Sequence, residues 1–290
     1  MRPFAFVSPR TLDEAVQAMA GAGGNARALA GGSDLVDQMR VGRRTPNLVV
    51  DIKNIPDMQR LEYIPGEGLY IGAGVSCTRT GEYAPVAEHY PSIKEVCGLI
   101  GSTQIQNRAS IAGNVCNSAP SGDTIPPLLT YDAKCIVVGP NGRREVPIGE
   151  FFAGPGQNVM AADELLLELV VPPPPANSSG RYLRFIPREE MDIAVAGAAS
   201  MIAVDPASKR CTRARIALAS VAPTPVRALD AEAALEGQVL TADVVKAASD
   251  LTPNATSPIS DVRGSVEYRK ELCKVLTQRT LEHCLADLGM

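Results

Sequence analysis

The sequence predicts a protein of two domains that mix helices and strands, the first of them α/β or α+β, and three observations lead to that prediction. Apolar residues make up 45% and charged residues 21% of the 290 residues, as in an ordinary soluble globular protein. Strand-like and helix-like segments alternate through the first half of the chain. Four consecutive prolines, Pro172–Pro175, fit neither a helix nor a central strand. We therefore expect one domain over 1–175 and a smaller α+β domain over 180–290.

The first domain is predicted to open with a helix over 11–20, because Leu12, Ala15, Val16 and Met19 share one helical face. The later elements follow from β-branched runs, apolar periodicity and glycine breaks. We expect strands over 26–30, 48–52, 69–75, 135–138 and 165–171, and helices over 33–41, from about 78, and over 93–100.

The second domain is predicted to contain two strands followed by three helices. Strands are expected over 194–204 and 215–221, and helices over 228–235, 242–251 and 266–288. The last helix carries an apolar stripe, which is typical of a face packed on a core.

Charge and hydropathy exclude several classes of protein. The formal charge is −4 and the isoelectric point is near 5.4, whereas a nucleic-acid groove needs a basic face. No segment reaches the roughly 18 apolar residues of a membrane span. The first ten residues, MRPFAFVSPR, lack the apolar core of a signal peptide. We therefore expect a cytoplasmic protein with no membrane span and no nucleic-acid partner.

Cysteine and histidine patterns give no support to a metal site or a catalytic triad. The seven cysteines include no CxxC pair and are expected to be buried free thiols. There are two histidines, and the motifs HExxH, GxSxG, GxxxxGK[ST] and GxGxxG are all absent. Metalloproteases, α/β-hydrolases, P-loop proteins and ordinary Rossmann proteins therefore lose their usual support as interpretations of this sequence.

The first motif of interest is the segment Leu29-Ala30-Gly31-Gly32-Ser33-Asp34-Leu35-Val36. A strand runs through two glycines into a helix that Ser33 or Asp34 can cap. Glycine lets a backbone approach a ligand closely, and bare N–H groups suit a pyrophosphate. Taken alone, the segment is better explained as an ordinary glycine turn before a capped helix.

The second motif is the segment 110–123, SIAGNVCNSAPSGD. Its small and polar side chains bury little apolar area, so it is predicted to be a loop. Backbone donors and hydroxyls suit phosphate, and the Asp123 carboxylate can accept hydrogen bonds from sugar or ribityl hydroxyls. A solvent loop is the alternative, but a polar loop of this length in a compact domain usually has a function.

The third motif is the segment 181–194, RYLRFIPREEMDIA, which mixes acidic and basic residues directly after the prolines. By itself it indicates a solvated charged stretch at the start of a domain.

In this order, the three motifs resemble the FAD-binding medium subunit of molybdenum hydroxylases, the group of xanthine dehydrogenase and carbon monoxide dehydrogenase. The resemblance covers nearly the whole chain. It is carried by FAFVSPRTLDEAVQAMA, AGGSDL, VVDIKNIPDM, LIGSTQIQNRASIAGNVCNSAPSGD, FFAGPG, DELLLELVVP, REEMDIAVAGAA and SPISDVRGSVEYRKELC.

The resemblance implies a PCMH-type FAD-binding domain of two α/β subdomains, split near 55–65, and a C-terminal domain like that of the carbon monoxide dehydrogenase flavoprotein. It also implies the residues that contact FAD. Two segments would hold the pyrophosphate, Asp123 would lie near the sugar or ribityl hydroxyls, Ile100 near the flavin ring and Leu166 on the adenine side. The implied set is Leu29, Ala30, Gly31, Gly32, Ser33, Asp34, Leu35, Ile100, Ser110, Ile111, Ala112, Gly113, Asn114, Asp123, Leu166 and Arg184.

Two positions depart from the family pattern. Ala112 replaces a glycine of the usual TIGGN, which requires that this residue keep a negative φ. Arg184 stands where relatives often carry lysine, and it keeps the charge but not the shape. Neither a cysteine-bearing insertion nor a histidine in either motif is present, so we expect no iron–sulfur cluster in this chain and noncovalent FAD.

The resemblance further implies an oxidoreductase component that passes electrons from iron–sulfur clusters to an external acceptor. Substrate hydroxylation, the molybdenum cofactor and the [2Fe-2S] clusters would reside on a molybdopterin-binding large subunit and a small subunit, assembled as a dimer of heterotrimers. The resemblance therefore implies no catalytic residue and no metal ligand in this chain. Two alternatives stay open. One is a self-contained FAD-dependent oxidoreductase of the same superfold, and the other is a binding or assembly protein that has lost FAD.

Overall fold

A computed structural model describes residues 1–290. The chain begins with a parallel three-stranded sheet, in which the strand order is β1-β3-β2. Its helix α1 starts at a capping box, in which Thr11 and Glu14 each accept the other's backbone N–H. The predicted helices and strands of this stretch are confirmed with small shifts at their ends. The elements are β1 Ala5–Val7, α1 Leu12–Gly21, β2 Ala26–Leu29, α2 Leu35–Arg40 and β3 Leu48–Asp51.

A second, antiparallel sheet follows in the order β4-β5-β10-β6-β7. Strand β10 is the central strand of this sheet. Every residue of the β10 sequence LLLELVV except Val170 is buried. The elements are β4 Leu61–Ile64, β5 Gly68–Gly72, α3 Cys77–Glu82, α4 Ala84–His89, α5 Pro91–Cys97, α6 Thr103–Gln106, α7 Ile111–Asn117, α8 Ile125–Thr130, β6 Lys134–Gly139, β7 Gly142–Pro147, β8 Phe152–Gly154, β9 Gln157–Asn158 and β10 Leu165–Val171.

The prediction that 110–123 is a loop throughout is wrong, because α7 occupies half of it. Ser110 caps this helix by accepting the Gly113 N–H over 3.0 Å. Ile111 and Val115 are fully buried and hold the helix against the core. Two apolar anchors and one cap are enough to order a stretch whose composition is otherwise that of a loop.

The C-terminal elements form a four-stranded antiparallel sheet, β11-β12-β13-β14, with three helices. All nine residues of β12 are buried because helix α11 packs on it. The predicted core role of the last helix is confirmed by buried Leu272, Leu276 and Leu281. The elements are β11 Ser178–Phe185, β12 Ala196–Val204, β13 Cys211–Ala219, β14 Val226–Arg227, α9 Leu229–Leu235, α10 Ala242–Asp250 and α11 Val266–Asp287.

The chain has two main hydrophobic clusters. One lies in residues 1–171, here called the N-terminal part, and the other in residues 178–290, here called the C-terminal part. Met201 and Ala217 of the C-terminal sheet join the first cluster, so the two parts are packed against each other. No helix carries an apolar stretch of the length needed to cross a membrane.

Candidate functional site

A cavity of about 890 Å³ opens between the three-stranded sheet, helix α7 and strand β10. This volume lies within the range of small-molecule and cofactor sites. Most of the sequence-predicted site residues line it. They are Ala30, Gly31, Gly32, Ser33, Asp34, Leu35, Ile100, Ser110, Ala112, Gly113, Asn114 and Leu166.

The first wall of the cavity is the turn between β2 and α2. Gly32 has a φ of 76°, a conformation that favours glycine. A Cβ on Gly31 would overlap the Arg108 carbonyl, so only glycine lets this turn meet the segment before α7. The backbone N–H groups of residues Gly31 to Leu35 have no acceptor within the protein. Such a run of free donors forms a concave site for an anion.

The second wall is the start of α7. The Cys77 N–H donates to the Ala109 carbonyl over 2.7 Å and fixes this start against α3. The N–H groups of Ile111 and Ala112 have no acceptor within the protein, whereas that of Gly113 is taken by Ser110. Ala112 lies within the helix, so its backbone meets the requirement of a negative φ.

Two apolar side chains form the remaining predicted contacts. Ile100 is half-buried and Leu166 is 4% exposed in strand β10, next to a bulge between Leu166 and Glu168. Both line the cavity, together with Ile52, Ile105 and Met160, which the sequence analysis did not select. Apolar surfaces of this kind suit the faces of planar rings.

Asp123 and Arg184 do not line the cavity. Their side chains instead bind each other. The Asp123 carboxylate accepts from Arg184 over 2.5 Å and from the Tyr182 hydroxyl over 2.6 Å. Both side chains of the ion pair are 8% exposed. Burial raises the pKa of the Asp123 carboxyl above its usual value, although Arg184 and Tyr182 oppose that shift. The segment 181–194 thus begins as a half-buried strand and not as a solvated stretch.

Leu29 and Ile111 also lie outside the cavity wall. Leu29 contributes its carbonyl to the Ile52 N–H and its side chain lies beside Gly32. Ile111 points into the core. Both residues position the two walls without facing the cavity.

The sequence analysis missed two cations on the cavity wall, Arg27 and Arg44. Neither forms an ion pair, in contrast to Arg144, which binds Glu164 over 2.7 Å. The only sequence signal for Arg27 is its place in the strand ARAL, where a charged residue stands among small apolar ones.

The titratable side chains on the cavity wall, besides the two arginines, are Asp34, Cys116 and Glu164. Burial raises the pKa of the Cys116 thiol to about 12, so it is neutral at pH 7. The Glu164 carboxylate is held by Arg144, and no histidine lines the cavity. No group of three or more His, Cys, Asp or Glu side chains is arranged to hold a metal ion.

Two family models match the chain. Residues 2–174 match the FAD binding domain in molybdopterin dehydrogenase, and residues 181–284 match the CO dehydrogenase flavoprotein C-terminal domain.

Known proteins match over nearly the full length. The xanthine dehydrogenase FAD-binding subunit of Escherichia coli O157:H7 is 31% identical over 265 residues, which cover 91% of this chain and 90% of that protein. The carbon monoxide dehydrogenase medium chain of Hydrogenophaga pseudoflava is 29% identical over 278 residues, 96% of each chain. The solved structure of carbon monoxide dehydrogenase from the same organism, without the Mo-pyranopterin moiety, gives a TM-score of 0.93 at 30% identity and covers 99% of both chains.

Proposed function

The chain belongs to the family of FAD-binding subunits of molybdenum hydroxylases, and we propose that it carries FAD in the cavity between residues 30–35 and 110–114. It acts as an oxidoreductase component that passes electrons from iron–sulfur clusters to an external acceptor. The observation that carries this proposal is that free backbone N–H groups of Gly31–Leu35 and of Ile111 and Ala112 flank one cavity of about 890 Å³.

The residues of the cavity fit the parts of FAD. The free N–H groups suit the diphosphate because backbone donors at such turns bind phosphate oxygens. Ile100 is assigned to the flavin ring and Leu166 to the adenine side. Asp123 and Arg184 are retained as candidate contacts to the hydroxyls and the flavin, although each side chain already has the other as a partner. When bound, FAD supplies the redox chemistry, and the protein's task is to hold and orient it.

FAD binding is proposed to be noncovalent, because the cavity presents no histidine and its one cysteine, Cys116, is a half-buried thiol with a raised pKa. The cavity carboxylates Asp34 and Glu164 already accept hydrogen bonds from Gln38 and Arg144. This gives less support to a self-contained oxidoreductase with its own substrate pocket. The substrate of the complex is then selected on another polypeptide.

The partners are proposed from what the relatives are named. The protein of Hydrogenophaga pseudoflava is a medium chain, a name that implies larger and smaller companions. We assign the molybdenum cofactor to a molybdopterin-binding large subunit and the [2Fe-2S] clusters to a small subunit, with a dimer of heterotrimers as the assembly. The proposed domains are 1–175 and 180–290, supported by the two hydrophobic clusters. Seven free cysteines fit a reducing cytoplasm.

The first test is made on the protein purified from its own host. Heat denaturation releases any noncovalent flavin, which is identified by chromatography, and the same sample is assayed for iron and molybdenum. FAD together with both metals is the expected result. FAD without metals in a gently purified sample would favour the self-contained oxidoreductase, and absence of flavin would contradict the proposal.

A matched pair of glycine variants tests the location of the site. Gly113→Val places a side chain on the cavity wall and is expected to abolish flavin binding. Gly21→Val adds the same atoms at the end of α1, where an added Cβ meets nothing within 4 Å, and should retain flavin. Circular dichroism checks that both variants are folded. Flavin retained by folded Gly113→Val would contradict the assignment.

A further inference from the structure

Two arginines face the cavity without a carboxylate partner. Arg27 lies on β2, directly before the Gly31–Leu35 turn, and donates one hydrogen bond to the neighbouring Ala26 carbonyl. Arg44 follows α2 and donates one to the side chain of Gln38. A guanidinium has five N–H donors, so most donors of both residues are left for a ligand.

The acidic groups at the cavity do not neutralise them. Asp34 accepts a hydrogen bond from Gln38, and Glu164 is bound by Arg144 and by the Ala161 N–H. Burial, and then the nearby charge of Arg44, lower the pKa of Arg27. Two like charges at one cavity wall repel each other, and Arg27 is also partly desolvated, whereas Arg44 is exposed. This arrangement is unfavourable unless an anion joins the two charges.

We infer that Arg27 and Arg44 bind the diphosphate of the dinucleotide, together with the free N–H groups of Gly31–Leu35. This inference rests on the proposed function and adds two side-chain contacts to it. Both arginines flank the same β2–turn–α2 unit, one on each side of the backbone donors. Guanidinium groups bind phosphate oxygens through paired hydrogen bonds, which are stronger than bonds between neutral groups.

The arrangement predicts which ligands the cavity distinguishes. Affinity should depend on the phosphates, so that FAD and ADP bind in preference to riboflavin and adenosine. Because the contact is between charges, the affinity for FAD should fall as salt is raised.

The test uses the full-length protein stripped of flavin and titrated with FAD, ADP, riboflavin and adenosine by calorimetry. The variants are Arg27→Gln, Arg44→Gln and the double variant, with Arg279→Gln as the control because Arg279 is exposed on α11 and forms no ion pair. Each single variant should weaken FAD and ADP roughly tenfold to hundredfold, the effect of one charged hydrogen bond. Arg279→Gln should bind as the wild type does.

The same titrations separate the failure of this inference from that of the proposed function. If the wild type binds FAD tightly and the double variant binds FAD and ADP equally well, the inference is wrong and the proposed function stands. If the wild type itself binds no FAD, the proposed function fails. Replacement by lysine, which keeps the charge, should recover part of the affinity. Loss of riboflavin binding equal to the loss of FAD binding would indicate a structural role and would overturn the inference.

Discussion

The arginines at the boundary between the two parts and the arginines on the cavity wall differ in what neutralises them. At the boundary, Arg184 binds Asp123 over 2.5 Å, and Arg181 binds Glu95 over 2.6 Å. On the cavity wall, Arg27 and Arg44 have no carboxylate partner. A cation that is paired inside the protein stabilises the fold, whereas an unpaired cation on a cavity wall keeps its charge for a ligand.

In these ion pairs at the boundary, one part of the chain supplies the carboxylates and the other part supplies the arginines. The carboxylates of Glu95, Asp123 and Asp132 belong to the N-terminal part, and their arginine partners belong to the C-terminal part. Asp132 alone receives Arg213, Arg215 and Arg227. Complementary charges on two faces fix how those faces meet, and this orientation seats β11 against the segment that follows α7.

The largest expected effect is on the buried boundary pair. Asp123→Ala leaves Arg184 buried without its partner and should lower the free energy of unfolding by about 3–5 kcal/mol. Urea denaturation of the flavin-free protein measures this change. Asp57→Ala, at an exposed position without an ion pair, should cost less than about 0.5 kcal/mol. If Asp123→Ala and Asp57→Ala changed the free energy of unfolding equally, the buried boundary pair would contribute no more to stability than a surface carboxylate does.

The cavity arginines should instead act through the ligand. FAD at a hundred times its dissociation constant should raise the free energy of unfolding of the wild type by about 2.7 kcal/mol. The double variant of Arg27 and Arg44, at the same FAD concentration, should gain less. Without FAD it should be as stable as the wild type or more so, since two repelling charges are removed. Thermal unfolding with and without FAD provides both values. A large loss of stability in the flavin-free double variant would show that Arg27 and Arg44 stabilise the fold itself, and would contradict the contrast with the boundary arginines.

A smaller effect is expected at the cap of α7. Ser110→Ala removes the acceptor of the Gly113 N–H and should cost about 1 kcal/mol of folding stability. Ser102 occupies the equivalent position of α6 but makes no capping hydrogen bond, so Ser102→Ala is the matched control. Denaturant unfolding of both variants tests whether the cavity wall depends on this cap. Identical stabilities would show that the cap does not contribute.

The smallest effect is a pH dependence at the half-exposed pair of Arg181 and Asp287. Hydrogen bonds from Arg181 lower the pKa of Asp287, so this carboxylate stabilises the folded state above its ordinary pKa of about 3.9. The stabilisation is lost as the pH falls through the lowered pKa. Asp287→Asn should therefore cost up to about 1 kcal/mol at pH 7, and the difference should shrink below about pH 4. A difference that grows on acidification would contradict this sign.

Much of the fold could be predicted from local patterns. The helix predicted over 11–20 follows from its apolar spacing, and β10 follows from a continuous apolar run. Helix α7 was missed because its composition is that of a loop, and the burial of Ile111 and Val115 together with the Ser110 cap orders it. The short strand β1 was missed as well, since its three residues are exposed and carry no alternating pattern.

The sequence by itself determined the two backbone motifs of the candidate site. Gly32 permits the positive φ of the turn, and Ser110 has the side chain that a helix cap needs, and these preferences depend on neighbouring residues. That a helix follows Ser110 depends on the burial of Ile111 and Val115, which the tertiary structure supplies. The tertiary structure decided which charges meet. Asp123 and Arg184 are 61 positions apart in the chain and form a pair, whereas Arg27 and Arg44 reach one cavity wall and form no ion pair with the carboxylates there. The partner of a charged side chain depends on which distant elements pack together, and no local pattern in the sequence specifies that choice.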